Sequence, residues 1–143
     1  MKTILLSAFV FLFGINANAQ ETAIKNSELP AEATAFIKNY FGKNTIHHAI
    51  KDKDKSKITY EVMLDNMTEI EFTEKGVWKE VDGKDKAIPT DYILKPILDY
   101  VKKNYPKASI THIDKGLNDI DIDLDNGTEL EFDLKGKFLR IDK

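Results

Sequence analysis

Ile120-Asp121-Ile122-Asp123-Leu124-Asp125-Asn126-Gly127-Thr128-Glu129-Leu130-Glu131-Phe132 is the stretch that decides the fold. Its first five residues alternate strictly. Ile120, Ile122 and Leu124 therefore share one side of a strand, and Asp121 and Asp123 the other. Asp125-Asn126-Gly127 suits a three-residue hairpin loop with Gly127 in the left-handed conformation. That loop sets Ile122 against Leu130 and Ile120 against Phe132, keeping both strands apolar on one side. A two-residue loop would set Leu124 against Glu129 and break the pattern.

The same frame occurs twice. Tyr60–Asp82 and Ile120–Asp142 align without a gap. Identities fall at Leu64/Leu124, Asp65/Asp125, Asn66/Asn126, Thr68/Thr128, Glu69/Glu129, Glu71/Glu131, Phe72/Phe132, Lys75/Lys135, Gly76/Gly136 and Asp82/Asp142. In the first copy Met67 stands where the second has Gly127, so Met67 has to carry the positive φ. Upstream the match continues with a four-residue shift: Phe36-Ile37-Lys38 with Tyr100-Val101-Lys102, Phe41 with Tyr105, Ile46 with Ile110, His48 with His112. The shift is absorbed in Lys51–Lys57, expected as a charged loop.

Each unit thus reads helix, strand, loop, then three more strands. Phe36, Ile37, Tyr40 and Phe41 share one helix face, as do Ile97, Val101 and Tyr105. Pro30 and Pro96 fit helix N-termini, where a missing N–H costs little. The expected architecture is α+β: tandem α-β-β-β-β units, an antiparallel sheet with both helices packed on one face, and the other face open and carboxylate-rich. The expected organisation is a leader (1–19), an N-terminal linker (20–27), a first unit (28–87) and a second unit (88–143).

Met1–Ala19 reads as an export signal: Lys2, an apolar run from Ile4 to Phe13, then Ala17-Asn18-Ala19 with small residues for cleavage before Gln20. The apolar run is too short to span a bilayer, so no stable membrane insertion is expected after its removal. The 143 residues contain no Cys, which excludes disulfides, a thiol nucleophile and Cys-ligated metals. Net charge is −3, with 21 Lys+Arg against 24 Asp+Glu, and Arg140 is the sole Arg. Nucleic acid is not an expected partner.

Taken together, Pro30, Phe36-Ile37-Lys38, Tyr60-Glu-Val, Glu69-Ile-Glu-Phe72, Gly76-Val-Trp78 and their second-unit counterparts Pro96-Ile97, Tyr100-Val-Lys-Lys-Asn-Tyr-Pro106, Glu129-Leu-Glu-Phe132 and Gly136-Lys-Phe resemble the PepSY-like family of exported bacterial proteins. Its fold is similar to that of the beta-lactamase inhibitor protein. The resemblance covers residues 28–143. It implies a periplasmic or secreted, non-enzymatic domain with an open sheet face, of a kind whose relatives inhibit or regulate enzymes.

The densest chemistry lies in Asp119–Leu134, which holds seven carboxylates and no Lys or Arg. Like charges facing across strands are unfavourable, so a basic partner, a cation or solvent has to offset them. The candidate protein-binding residues are Glu69, Glu71, Asp121, Asp123, Glu129 and Glu131, with Trp78 as an aromatic anchor. The partner expected is a protein or peptide with a basic surface. Calcium is the alternative ligand, with Asp119, Asp121, Asp123, Glu129, Glu131 and Asp133 as oxygen donors; no cofactor is required. Asp119-x-Asp-x-Asp-x-Asn copies an EF-hand start, but its alternating apolar residues make a strand. His48 and His112 occupy equivalent strand positions and could share a metal only if the two copies met. Ser27, Ser56 and Ser109 form no nucleophile elbow, and the chain is expected not to be an enzyme.

Overall fold

A computed structural model describes residues 19–142; residues 1–18, which hold nearly all of the expected leader, and Lys143 lie outside the described residues. Among the described residues, nine strands form one continuous antiparallel sheet. They are β1 (Ala19–Ile24), β2 (Ile46–Asp54), β3 (Lys57–Leu64), β4 (Glu69–Thr73), β5 (Trp78–Asp82), β6 (Ile110–Lys115), β7 (Asp119–Leu124), β8 (Glu129–Asp133) and β9 (Phe138–Asp142). Their spatial order is their order in the chain. Helix α1 (Ala31–Tyr40) connects β1 to β2, and α2 (Lys95–Asn104) connects β5 to β6.

The hairpin geometry follows the alternation. Ile120 lies opposite Phe132 and Ile122 opposite Leu130, with Asp121 facing Glu131 and Asp123 facing Glu129. Leu124 N–H donates to Thr128 O at 2.9 Å, closing the three-residue loop. Gly127 has φ 82° and Met67 φ 69°. Asn66 and Asn126 hold these turns by accepting from the Thr68 and Thr128 N–H groups, each at 3.0 Å. The β4–β5 and β8–β9 turns use Gly76 and Gly136, also at positive φ.

Both helices pack on the apolar sheet face, and the aligned aromatic residues of the two units adopt the same arrangement. Phe36 of α1 stacks on Trp78 at 6.0 Å and meets Phe72 edge-on at 5.8 Å. Tyr100 of α2 stacks on Phe138 at 4.3 Å and meets Phe132 edge-on at 5.4 Å. Phe72, Phe132, Leu64, Ile97, Ile113 and Ile122 are fully buried between the layers, each worth about 2 kcal/mol or more in apolar burial. Pro30 precedes α1 and Pro96 sits in the first turn of α2.

Two expectations change. Most of residues 20–27, expected as a linker, is strand and a short 3-10 turn (Asn26–Glu28). Likewise Lys51–Lys57 is hairpin rather than loop: β2 and β3 run on to a two-residue turn at Lys55-Ser56, with Lys55 at φ 55°. One cause explains both. The first unit's extra residues lengthen the β2–β3 hairpin, and β1 pairs along the extension, Gln20 with Lys53 and Thr22 with Lys51. β1 thereby covers the edge of β2 as β5 covers the edge of β6.

Candidate functional site: an acidic row across the open face

Because every strand pairs with its chain neighbour, residues on the uncovered face line up in rows perpendicular to the strands. One row is almost purely acidic. Glu61 faces Glu71, Glu71 faces Glu80, Glu80 faces Asp114, Asp114 faces Asp121, and Asp121 faces Glu131. With neighbouring strands about 4.8 Å apart, six carboxylates extend over roughly 24 Å. The row ends on Arg140, whose Nη2 lies 2.6 Å from Glu131 Oε2. A second row beside it runs Glu69, Asp82, His112, Asp123, Glu129.

Cations are spaced unevenly along these rows. Lys79 Nζ approaches Glu71 at 3.2 Å, and Lys84 Nζ bridges Glu69 at 2.7 Å and Asp82 at 2.8 Å. Burial works against charge on Lys79, but Glu71 beside it, with Asp114 and Glu80 nearby, holds its pKa above the usual value. His112 bridges Glu80 at 2.8 Å and Asp123 at 3.0 Å. Burial would lower its pKa, yet the hydrogen bonds to Asp123 and Glu80 outweigh that and raise it to about 10. His112 is therefore an imidazolium at neutral pH, donating from both nitrogens.

Three row members lack an ion pair of their own, and Asp114 feels Lys79 and His112 only at longer range. Among the described residues no cation lies within ion-pair distance of Glu61, Asp114 or Asp121. Desolvation, then the charges of Glu71, Glu21, Asp52 and Glu69, lift Glu61 from 4.5 to about 7. Desolvation, then Asp119, Glu131, Asp114 and Asp123, lift Asp121 from 3.8 to about 6. Asp114 is raised too, by burial and by Glu80, and its Oδ1 is buried with no hydrogen-bond partner. At the first-unit end a hollow of about 150 Å³ opens between His48, Glu61, Met63, Glu69, Glu71, Glu80 and Asp82. The two histidines explain the asymmetry. His112 faces Asp123, but its counterpart His48 faces Met63, and its ring nitrogen lies 3.0 Å from that of the neighbouring His47. Three strands separate them, so they share no site.

The sheet brings Glu69, Glu71, Asp121, Asp123, Glu129 and Glu131 onto one face, as the alternation implies. It does not bring Trp78 there. Trp78 lies half-buried on the helix-covered side against Phe36 and Tyr92, with Lys115 Nζ 3.7 Å from its ring centre. The six proposed calcium donors are engaged unequally. Glu131 is held by Arg140 and Asp123 by His112. Asp133 accepts from the Lys135 and Lys137 N–H groups of its own turn, which lower its pKa. Among the described residues no three or more His, Asp or Glu side chains converge on a point that could hold a metal ion. The expected site set left out Glu61, Glu80 and Asp114; the alternation puts each on the open face, but only the pairing of β5 with β6 joins them into one row.

An antiparallel sheet covered by two helices on one face and open on the other is the class of fold this geometry defines. The family described as "Putative beta-lactamase-inhibitor-like, PepSY-like" matches residues 11–67 and 58–140. The chain belongs to this PepSY-like family. Solved structures agree. A "putative calcium-regulated periplasmic protein" of Bacteroides thetaiotaomicron is 36% identical, with TM-score 0.82, covering 86% of this chain and 97% of its own. A "putative periplasmic protein" of Bacteroides vulgatus is 33% identical, with TM-score 0.83, over 87% of this chain and 98% of its own. A second B. vulgatus periplasmic protein, of unknown function, is 29% identical, with TM-score 0.82, over 87% of this chain and all of its own. No curated protein matches.

Proposed function

We propose that this chain is an exported, non-catalytic binding module that uses its acidic open face to engage a protein or peptide with a basic surface. The observation that carries the reading is the unbroken row Glu61–Glu71–Glu80–Asp114–Asp121–Glu131, in which three carboxylates lack a cation of their own. A complementary Lys or Arg side chain would remove that repulsion, so part of the binding energy is already stored in the free protein. The inhibitor-like family description supports a non-enzymatic role, and the Bacteroides relatives, described as periplasmic, support export to that compartment. The leader motif before Gln20 agrees with that address. Among the described residues no helix is long and apolar enough to cross a membrane.

The test is calorimetric titration with a Lys/Arg-rich decapeptide at low and high salt. Binding is expected to weaken about tenfold or more between 50 and 300 mM NaCl and to drop in Glu61→Gln/Asp121→Asn. Salt-independent binding, or none, would sink the reading.

Calcium is the second reading, favoured by the unpartnered Asp114 Oδ1 and by the relative described as calcium-regulated. It predicts a rise in melting temperature in millimolar Ca²⁺ over EDTA, absent with Mg²⁺ and lost in Asp121→Asn/Asp123→Asn. Coincident melts would remove it.

A further inference from the structure

Strand β9 ends the sheet, and no described strand lies against its outer edge. Its counterpart β5 is interior: Glu80, Val81 and Asp82 pair outward with Asp114, Ile113 and His112 of β6. The same positions in β9 are Arg140, Ile141 and Asp142. Val81 is wholly buried, whereas Ile141 is 44% exposed. Two nearby positions change against the usual rule for edges, although Val77 between them becomes Lys137. Glu74 and Lys79 of the first unit become Leu134 and Leu139, 51% and 49% exposed. Edge strands are ordinarily guarded by charge, Lys above all. This edge has leucines where its interior counterpart carries Glu and Lys.

We propose that a second copy of the chain covers this edge, β9 against β9, antiparallel across a two-fold axis at Ile141. The register follows from charge. Residues opposed in an antiparallel pair project to the same face, and Arg140 and Asp142 face Glu131 and Glu129 on the open side. An axis at Arg140 or at Asp142 sets that charge against itself. An axis at Leu139 sets Arg140 against Phe138, which faces the helices. The axis at Ile141 sets Arg140 against the partner's Asp142, twice by symmetry, and Ile141 against the partner's Ile141 on the helix side. Such an isologous contact closes at two copies and joins the two sheets into one. It lies on the sheet edge and stands independently of what the open face binds.

Sedimentation velocity of the purified protein from about 10 μM to about 1 mM tests it. Self-association is expected, weakened about tenfold or more by Arg140→Asp or by Asp142→Arg alone, and restored to within about threefold in the double swap. On the unmodified protein, exchange of the Leu139–Asp142 amides is expected to slow as concentration rises, a readout that survives if a variant fails to fold. A chain that stays monomeric to about 1 mM, or a dimer that the double swap fails to restore, overturns the proposal.

Discussion

His112 Nε2 lies 2.8 Å from Glu80 Oε1, joining the first strand of the second unit to the last strand of the first. The same ring reaches Asp123 through Nδ1 at 3.0 Å, so one imidazolium ties three adjacent strands. Lys79 and Asp82 flank the seam, and both belong to the same electrostatic cluster.

This bridge gives stability a signature in alkali. The folded pKa of about 10 stands above the ordinary 6.5. The contribution is therefore complete below pH 6.5 and is lost as pH rises towards 10. His112→Gln is expected to cost about 1–2 kcal/mol at pH 6 and much less at pH 10, measured by urea unfolding at both values. Equal costs would show that the ring acts through packing alone.

Glu61 predicts the opposite sign for an acid. Its folded pKa of about 7 exceeds the ordinary 4.5, so the native state binds the proton more tightly. Its ionisation destabilises the fold as pH climbs from 4.5 through 7. Glu61→Gln should raise the melting temperature by roughly 3–5 °C at pH 8, for about 1 kcal/mol, and leave it unchanged near pH 4.5. Differential scanning calorimetry at the two pH values checks both halves.

Met67 holds φ 69° where the second unit uses Gly127 at 82°. Its side chain is 54% exposed, so little packing is lost on removal. Met67→Gly is expected to stabilise the protein by about 0.5–1 kcal/mol, because Gly adopts this conformation without strain. A lower denaturation midpoint would show that the methionine side chain contributes more than its backbone strain costs.

Gly76 and Gly127 share φ 82° but differ in surroundings. A Cβ on Gly76 would lie 2.7 Å from Pro30 Cβ and 2.8 Å from the Ala33 nitrogen, whereas on Gly127 it would meet nothing within 4 Å. Gly127→Ala should cost about 1 kcal/mol of conformational strain. Gly76→Ala should cost at least about 2 kcal/mol more, since the start of α1 has to move. Chemical denaturation of the two variants side by side isolates the steric part.

Much of this arrangement was legible because alternation and turn chemistry act locally. Ile120-Asp-Ile-Asp-Leu124 and the glycine at 127 specify a register between neighbours, and the aromatic stripe of each helix specifies what it covers. Strand β1 left no such trace. Its side chains are exposed except for Ile24, which packs against the core, so it joins mainly through backbone hydrogen bonds and has no apolar period to read. The acidic row was half legible. Asp121 facing Glu131 follows from one loop length, but Glu80 facing Asp114 depends on a pairing between segments separated by α2. Trp78 was expected as an aromatic anchor for a partner, and the cover of α1 and Tyr92 over it became apparent only in three dimensions.

The sheet's spatial order is also its order in the chain, which bears on how the protein is built. Each new strand finds its neighbour already laid down, separated by a turn or by one helix and its flanking loops. No strand waits for a distant segment, so the entropic cost of closing large loops is avoided and contact order stays low for so wide a sheet. A chain made from its N-terminus can then assemble strand by strand as it emerges. Until β6 arrives, the exposed margin is the β5 edge, the same edge at which Glu80 awaits His112.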